Sequence, residues 1–325
     1  MFQGFWAKLK KPIIGLAPMD GVTDAPMRFI TAKYGKPDVI FTEFVSAEGL
    51  RRVTDGNKLS LASRNSLLRH LKFDEIERPV VAQLFGGDPT AFLEVAKLIV
   101  EMGFDGVDIN MGCPARKVAG RGEGAGLINN PQLAGEIISA VKKGVDGKIP
   151  VSVKTRIGYD QPDPSWWQFL ATQDLAAVTI HGRTFKQLYQ GRADWAAIAR
   201  AATLIKRSGA VFLGNGDVRD RAHCPLPIAQ YGVDGVLIGR AAQGNPWVFN
   251  GAVTQSHGDT VTREDKLMIA LEHARKFEEI FPEDRFFVMR KHLAWYARGF
   301  DGAADLRQKL VLCNSADEVE KIVRV

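Results

Sequence analysis

The residues best able to do chemistry lie at the ends of short apolar runs. Cys113 stands in Asn110-Met111-Gly112-Cys113-Pro114, just past one such run and ahead of the glycine-rich Gly120-Arg121-Gly122-Glu123-Gly124-Ala125-Gly126. General usage makes a lone cysteine a small buried hydrophobe. A thiol on a loop, however, is badly placed for packing and well placed to exchange a proton with a ligand. Arg116 and Lys117 follow it, so the loop is cationic and suits an anionic substrate backbone. Lys154 ends another run and has three available roles: a solvated rim charge, a Schiff-base amine, or a fixed cation beside a developing negative charge. His181, two residues before Arg183, is either a hydrogen-bonded core histidine or a ligand contact. Gly214-Asn215-Gly216-Asp217 and Gly239-Arg240, the latter opening the short helical stretch Ala241 to Gln243, have backbone amides able to cradle phosphate. Read as turns alone, these glycines need no ligand.

The elements that must position these residues recur regularly. Apolar, β-branched runs occupy 13–17, 39–42, 79–84, 106–110, 151–155, 177–181, 210–213 and 235–238, each followed by a longer segment with helical spacing. Strands alternating with helices imply parallel βα units, and eight of them in about 240 residues match an α/β fold of the (β/α)8 TIM-barrel type. A doubly wound sheet competes less well, because no Gly-x-Gly-x-x-Gly follows the first strand. Barrels of this kind place their chemistry at the carboxyl ends of the strands. Those ends carry Met19, Asp20, Glu43, Gln83, Asp108, Asn110, Lys154, Arg156, His181 and Arg183. Side chains alternate along a strand with period two, so Asp108 shares a face with Asn110, Lys154 with Arg156, and His181 with Arg183. The loops after strands seven and eight are where such barrels often hold phosphate, so a phosphorylated ligand or cofactor is expected. Beyond about residue 250 the β-branched runs stop and helix formers dominate. The polar, glycine-containing stretch from Asn250 to Asp259 reads as a junction, which divides the chain into a barrel over 1–249 and a small C-terminal helical domain over 250–325.

Composition narrows the class. The 325 residues are 46% hydrophobic and 25% charged, near the globular average, which excludes disordered, collagen-like and coiled-coil readings. No run approaches the roughly 18 to 20 apolar residues of a membrane span. Cys113, Cys224 and Cys313 are far apart and form no Cys-x-x-Cys pair, so neither disulfides nor a structural metal site is expected. Cys224 and Cys313 receive no role. At the N-terminus the charges follow the few apolar residues, the reverse of a secretory signal, so a cytoplasmic protein without a targeting segment is expected. Lys and Arg total 43 against 37 Asp and Glu, and the pI near 9.2 modestly favours a polyanionic partner.

Taken in order, several stretches make the chain resemble the tRNA-dihydrouridine synthases, most closely the bacterial B-type enzymes. They are Leu16-Ala17-Pro18-Met19-Asp20-Gly21-Val22-Thr23-Asp24, Thr42-Glu43-Phe44, Gln83-Leu84-Phe85-Gly86, Asp108 to Pro114, Val153 to Gly158, Ile180 to Thr184, Gly214 to Asp217, Ile238-Gly239-Arg240 and Arg290 to Tyr296. The resemblance implies an FMN-dependent barrel with a helical C-terminal domain, using NADPH or NADH to reduce the C5–C6 bond of tRNA uridines. It implies backbone contacts to FMN from Ala17, Pro18 and Met19, and ring contacts from Gln83 and Lys154. His181, Asn215, Gly216, Asp217, Gly239 and Arg240 would form the rest of the cofactor site, around its phosphate. Asn110, Arg156 and Arg183 would face the substrate, and Cys113 would be the catalytic acid. The segment from Tyr159 to Trp167 is proline-rich and departs from the family pattern, with a short helix expected after it.

Between Arg285 and Leu310 six cationic residues stand against two anionic ones, interleaved with aromatics. Arg290, Lys291, Trp295 and Tyr296, with Arg116 and Lys117, are therefore the expected RNA contacts. A monomer that binds no metal is expected. Three rival readings are an FMN barrel acting on a free pyrimidine or small enoate, a Schiff-base lyase built on Lys154, and a non-catalytic RNA-binding module.

Overall fold

A computed structural model describes residues 2–54, 61–222, 224–250 and 261–324. All eight expected strands form: β1 (Ile13–Leu16), β2 (Ile40–Ser46), β3 (Val80–Phe85), β4 (Gly106–Met111), β5 (Val151–Arg156), β6 (Ala177–His181), β7 (Val211–Asn215) and β8 (Gly235–Ile238). Each pairs in parallel with the next, and β1 pairs with β8 from Ile13–Gly235 to Leu16–Ile238, closing the barrel. The one strand that departs from expectation is β2, which runs four residues further. Its register against β3 shifts between Phe41 and Phe44 and then resumes, so the polar pair Thr42-Glu43 interrupts the apolar pattern without ending the strand.

Helices follow the strands: α1 (Ala25–Tyr34), α2 (Ala47–Thr54), α3 (Leu61–Leu68), α4 (Pro89–Glu101), α5 (Arg116–Ala119), α6 (Pro131–Val145), α7 (Pro164–Ala171), α8 (Trp195–Ile205) and α9 (Pro225–Tyr231). Local sequence explains where several begin. Asp88-Pro89, Asn130-Pro131 and Asp163-Pro164 each put an oxygen acceptor ahead of a proline, and the Asp or Asn side chain takes an amide of the first turn. The fifth unit's helix, α7, is short as expected at eight residues, but it begins at Pro164, inside the proline-rich segment instead of after it. Its two indoles hold it in place: Trp166 Nε1 donates to Thr155 Oγ1 at 3.1 Å and Trp167 Nε1 to the Ile157 carbonyl at 3.0 Å, with both rings buried.

The two ends of the barrel are treated differently. A 3-10 turn, Gly4–Lys8, lays Trp6 against Phe41 beneath the amino ends of the strands, and this plug is apolar. The carboxyl ends are left open, and the polar residues collect there.

Four further helices, α10 (Arg263–Ile280), α11 (Arg290–Tyr296), α12 (Ala303–Leu310) and α13 (Ala316–Val323), share a second apolar cluster built around Phe277, Met289, Leu293 and Leu310. Ala25 and Ile30 of α1 belong to the same cluster, so these helices are packed on the barrel through α1. Of the junction expected between Asn250 and Asp259, all but Asn250 lies outside the described residues.

On its other side α1 is fastened by charge. Arg28, with no solvent exposure, donates Nε to Glu77 Oε2 at 2.7 Å and Nη1 to the Thr23 carbonyl, and it also reaches the Lys72 carbonyl. Breaking such a buried pair from one side strands the other charge. Arg28→Ala is expected to lower unfolding stability in urea by about 3 to 5 kcal/mol, and Arg28→Met combined with Glu77→Leu to recover much of that loss. Equal losses in the single and double variants would show that the pair is not the fastening.

Candidate active site

The inward face of β4 starts a buried polar chain. Ser152 Oγ donates to Asp108 Oδ1 at 2.6 Å, and Gln83 Nε2 donates to Asp108 Oδ2 at 2.7 Å. Asn110 Nδ2 then donates to Gln83 Oε1 at 3.0 Å. Asn110 Oδ1 accepts the amides of Gly112 and Cys113 at 3.0 and 2.8 Å, which turns the chain sharply after β4 and fixes where the thiol starts. Burial pushes the Asp108 carboxyl up to about 6, against the hydrogen bonds from Ser152 and Gln83 and the charge of Lys154.

Cys113 is buried, yet it lines a large cavity at the barrel mouth. Burial pushes its thiol above the ordinary value, the Asp20 carboxylate adds to this, and a backbone bond at Ala115 and the charge of Arg156 oppose it. The thiol is therefore protonated at neutral pH. The loop is pinned by the neighbouring strand: Arg156 Nε, at the end of β5, donates to the Gly112 carbonyl at 2.7 Å, and its Nη1 donates to the carbonyls of Thr184 and Leu188.

From β5 round to β8 the mouth is cationic. Lys154 Nζ donates to Asn215 Oδ1 at 3.1 Å, and Asn215 Nδ2 donates to the Leu237 carbonyl. Burial, helped by Arg156, brings the Lys154 ammonium down to about 8 despite Asp108. His181 is held neutral, down to about 2, first by burial and then by the charges of Lys154, Arg156, Arg183 and Arg240. Its Nε2 lies 3.2 Å from Arg183 Nη1, which can only donate, so the proton sits on Nδ1. Asp217 ties the group together, taking both oxygens to Arg183 Nη2 at 2.8 Å, one to the Ala193 amide at 2.8 Å and one to Arg240 at 3.1 Å. Partial burial pulls its pKa up, but the Ala193 amide and the two guanidinium groups hold it below the ordinary carboxylate value.

Gly216 has φ +123°, and a side chain there would begin 2.7 Å from Ala193 Cβ and 3.0 Å from the His181 ring. Only glycine lets the backbone pass at this point. Among the described residues neither Gly216 nor Gly239 gives its amide to a backbone carbonyl.

The cavity measures about 1460 Å3 and brings together Ala17, Pro18, Met19, Gln83, Asn110, Cys113, Lys154, Arg156, His181, Arg183, Asn215, Gly216, Asp217, Gly239 and Arg240. The remaining expected residues lie outside it. Arg116 and Lys117 are exposed on α5 beside the thiol loop. Lys291 Nζ comes within 3.5 Å of where a Gly21 side chain would begin, at the edge of the mouth. Trp295 rests its backbone on Gly244 and its ring against His292. Arg290 donates to the carbonyls of Cys313 and Leu312 and to Asn314, bracing the last helices.

One expectation is corrected. Tyr296 is buried in the helical cluster with its hydroxyl 3.1 Å from His273 Nδ1, so it presents nothing to RNA. Arg183 lines the cavity but spends most of its donors on His181, Asp217 and the carbonyls of Gln190 and Gly191, bracing the cationic group.

Sequence reasoning passed over Phe44, Leu188, Tyr189, Arg192, Arg219 and Gln243, which also line the cavity. Tyr189 and its neighbours ride on the long connection between β6 and α8, whose length was the available signal.

Fold and cavity define a (β/α)8-barrel enzyme whose reaction chamber opens at the carboxyl ends of its strands. The chain belongs to the dihydrouridine synthase family: the family described as "Dihydrouridine synthase (Dus)" matches residues 15–325. It is therefore an oxidoreductase. The chain is 36% identical over 330 residues to a "Probable tRNA-dihydrouridine synthase 2" of Bacillus subtilis (strain 168), covering 99% of this chain and 96% of that one. It is 35% identical over 327 residues to a "Probable tRNA-dihydrouridine synthase" of Staphylococcus aureus (strain COL), covering 99% and 95%. Among solved structures it resembles histamine dehydrogenase from Rhizobium sp. 4-9, with TM-score 0.54 and 12% identity over 81% of this chain and 48% of that one. Morphinone reductase in complex with tetrahydroNAD gives 0.51 and 13% over 79% and 92%. At such identities the likeness is one of barrel fold alone.

Lys154 yields a test of the cavity's electrostatics. Its folded pKa, about 8, is below the unfolded value of about 10.4. The unfolded chain therefore binds more protons between those values, and stability rises with pH across that window. Lys154→Met is expected to raise the melting temperature of ligand-free protein at pH 7, with the gain shrinking as pH climbs from about 8 to about 10.4. A melting temperature unchanged at pH 7 would mean the ammonium is not strained in the cavity.

Proposed function

We propose that this protein reduces the C5–C6 double bond of specific uridines in tRNA to 5,6-dihydrouridine, with FMN as cofactor and NADPH or NADH as the source of electrons. The reading rests on one observation above all: a member of this family holds a protonated thiol and an array of cations on the walls of a single open cavity. The names of the B. subtilis and S. aureus relatives support tRNA as the substrate.

The residues fit a phosphate-bearing flavin on three counts. The volume exceeds the roughly 300–1,000 Å3 of ordinary ligand pockets, leaving room for a cofactor and a nucleobase together. The Gly216 cradle, the free amide of Gly239, the Nδ1–H of His181 and the Arg240 guanidinium supply donors that suit a phosphate, the nearby Asp217 carboxylate being already paired with Arg183 and Arg240. Asp217 keeps Arg240 aimed into that set. Ala17, Pro18 and Met19 offer backbone along one wall. Lys154 and Gln83 would meet the ring system. The chemistry such a cofactor supplies when bound is hydride delivery from N5 to uracil C6.

What the chain itself does follows from its geometry. Lys154 supplies positive charge where negative charge redistributes as the hydride leaves, and an anion beside it restores a full charge that burial alone erodes. Cys113 holds the proton destined for C5, on a thiol that burial keeps from ionising. Asn110 and Arg156 act first as positioners of the Cys113 loop and leave only their remaining N–H groups for the uridine. Residues 1–249 carry the reaction, and 250–325 hold the RNA together with the basic pair beside the thiol loop. Arg116, Lys117, Lys291 and Trp295 are its contacts, with Arg290 setting the helices that carry them. Contacts of this kind must offset the few kcal/mol of unstacking a uridine from folded tRNA.

Mapping dihydrouridine in tRNA from cells with and without the protein tests the whole reading; an identical map would overturn it. Cys113→Ala is expected to keep its yellow colour and tRNA affinity while losing turnover, because a proton donor acts only in the transition state. Wild-type turnover in that variant would remove the thiol from the reaction. Raised salt is expected to weaken tRNA binding steeply, and Lys291→Ala to lessen that slope; an affinity indifferent to salt would contradict a phosphate-binding face.

A further inference from the structure

One buried cluster takes no part in this chemistry. Asp24 is the cap of α1, His273 lies in α10 and His292 in α11, and all three are at most 3% exposed. Their available donor atoms lie within 4.8 Å of one another. Asp24 uses Oδ1 to accept the Met27 amide at 3.0 Å, which leaves Oδ2 pointing toward His292 Nε2 at 3.6 Å. The Nε2 atoms of both histidines are buried without a hydrogen-bond partner. Two orphaned imidazole nitrogens facing one carboxylate oxygen are uncommon, since buried polar atoms are nearly always paired.

The chemistry of the three donors is that of a cation site. Burial keeps both imidazoles neutral, the form in which a ring nitrogen offers a lone pair. On His273 the other ring nitrogen, Nδ1, is already engaged by Tyr296 Oη at 3.1 Å, an outer partner of the sort that orients a ligating histidine. With metal-to-ligand distances of about 2.0–2.1 Å, ligands on a tetrahedral ion sit about 3.3 Å apart. The Asp24–His292 pair is already near that spacing at 3.6 Å, and with all three donors within 4.8 Å of one another His273 need close by at most about 1.5 Å.

We propose that Asp24 Oδ2, His273 Nε2 and His292 Nε2 bind one divalent cation of the zinc class, which staples α10 and α11 to the loop leaving β1. That loop carries Met19 and Asp20 into the cavity, and Lys291, next to His292, reaches its edge at Gly21. The ion would thus set the position of the expected RNA-binding helix relative to the mouth. The proposal reverses the metal-free expectation drawn from cysteine spacing, and it stands whatever reaction the cavity performs.

The test uses the full-length flavin-loaded protein. Elemental analysis after desalting is expected to find stoichiometric zinc, and Co2+ exchanged into the stripped protein to give the visible bands of four-coordinate cobalt. Added Zn2+ is expected to raise the melting temperature of the stripped protein. Asp24→Asn keeps an acceptor for the Met27 amide and so preserves the helix cap. It should stay folded by circular dichroism and lose both the cobalt bands and the zinc-dependent shift, as should His273→Gln. Wild-type protein without stoichiometric metal and without a zinc-dependent shift would overturn the proposal. So would cobalt bands that survive in the Asp24→Asn, His273→Gln double variant, since the ion would then sit elsewhere.

Discussion

Parallel pairing of Ile13–Leu16 with Gly235–Ile238 joins the first strand to the last, and everything at the mouth depends on that closure. In a closed parallel barrel all eight strands end on the same rim, so one side chain from each is enough to furnish a chamber. The opposite rim is filled by Trp6 and its apolar neighbours. The curvature that closure imposes turns inward-facing side chains of nearby strands toward one another, and Lys154 on β5 reaches over β6 to Asn215 on β7 at 3.1 Å.

A second constraint is electrostatic. Lys154, Arg156, Arg183, Arg240 and the neutral His181 crowd one side of the cavity, and only Asp217 among them is a carboxylate bonded to the set. Burial makes this arrangement costly, which is visible in the depressed pKa values of Lys154, Arg156 and His181. Natural sites tolerate such strain where a ligand relieves it. An anion bound among these cations would supply that relief. The arginines divide the labour: Arg156 and Arg183 are tied to carbonyls and hold loops, whereas Arg240, more than half exposed, remains available.

The helices beyond the barrel are organised around α1, which works on both sides. Arg28 fastens it to Glu77, Ala25 and Ile30 give it to the helical cluster, and its cap Asp24 faces two histidines of that cluster. Movement at this seam would displace Lys291 relative to Asp20, so the joint between the two parts of the chain is also a determinant of the mouth. The aromatic residues between Arg285 and Leu310 divide accordingly. Phe286 and Tyr296 are buried, while Phe287 stays exposed.

Local patterning was sufficient to locate the barrel. Strands need only a short apolar run, helices announce themselves through Asp-Pro and Asn-Pro starts, and the carboxyl-end rule turns eight strand boundaries into a site without further information. Gln83, Asn110, Cys113, Lys154, His181 and Gly216 were legible for that reason. Local patterning could not say which polar side chain remains free, because that depends on partners supplied by distant loops. Arg183 lines the cavity, yet Gln190, Gly191 and Asp217 take most of its donors, which no local pattern foretells. Tyr296 looked like an exposed aromatic until α10 buried it, and Asp24, His273 and His292 carry no common spacing at all. Short-range periodicity is written along the chain, whereas hydrogen-bond partnership and burial are properties of surfaces that meet only after folding.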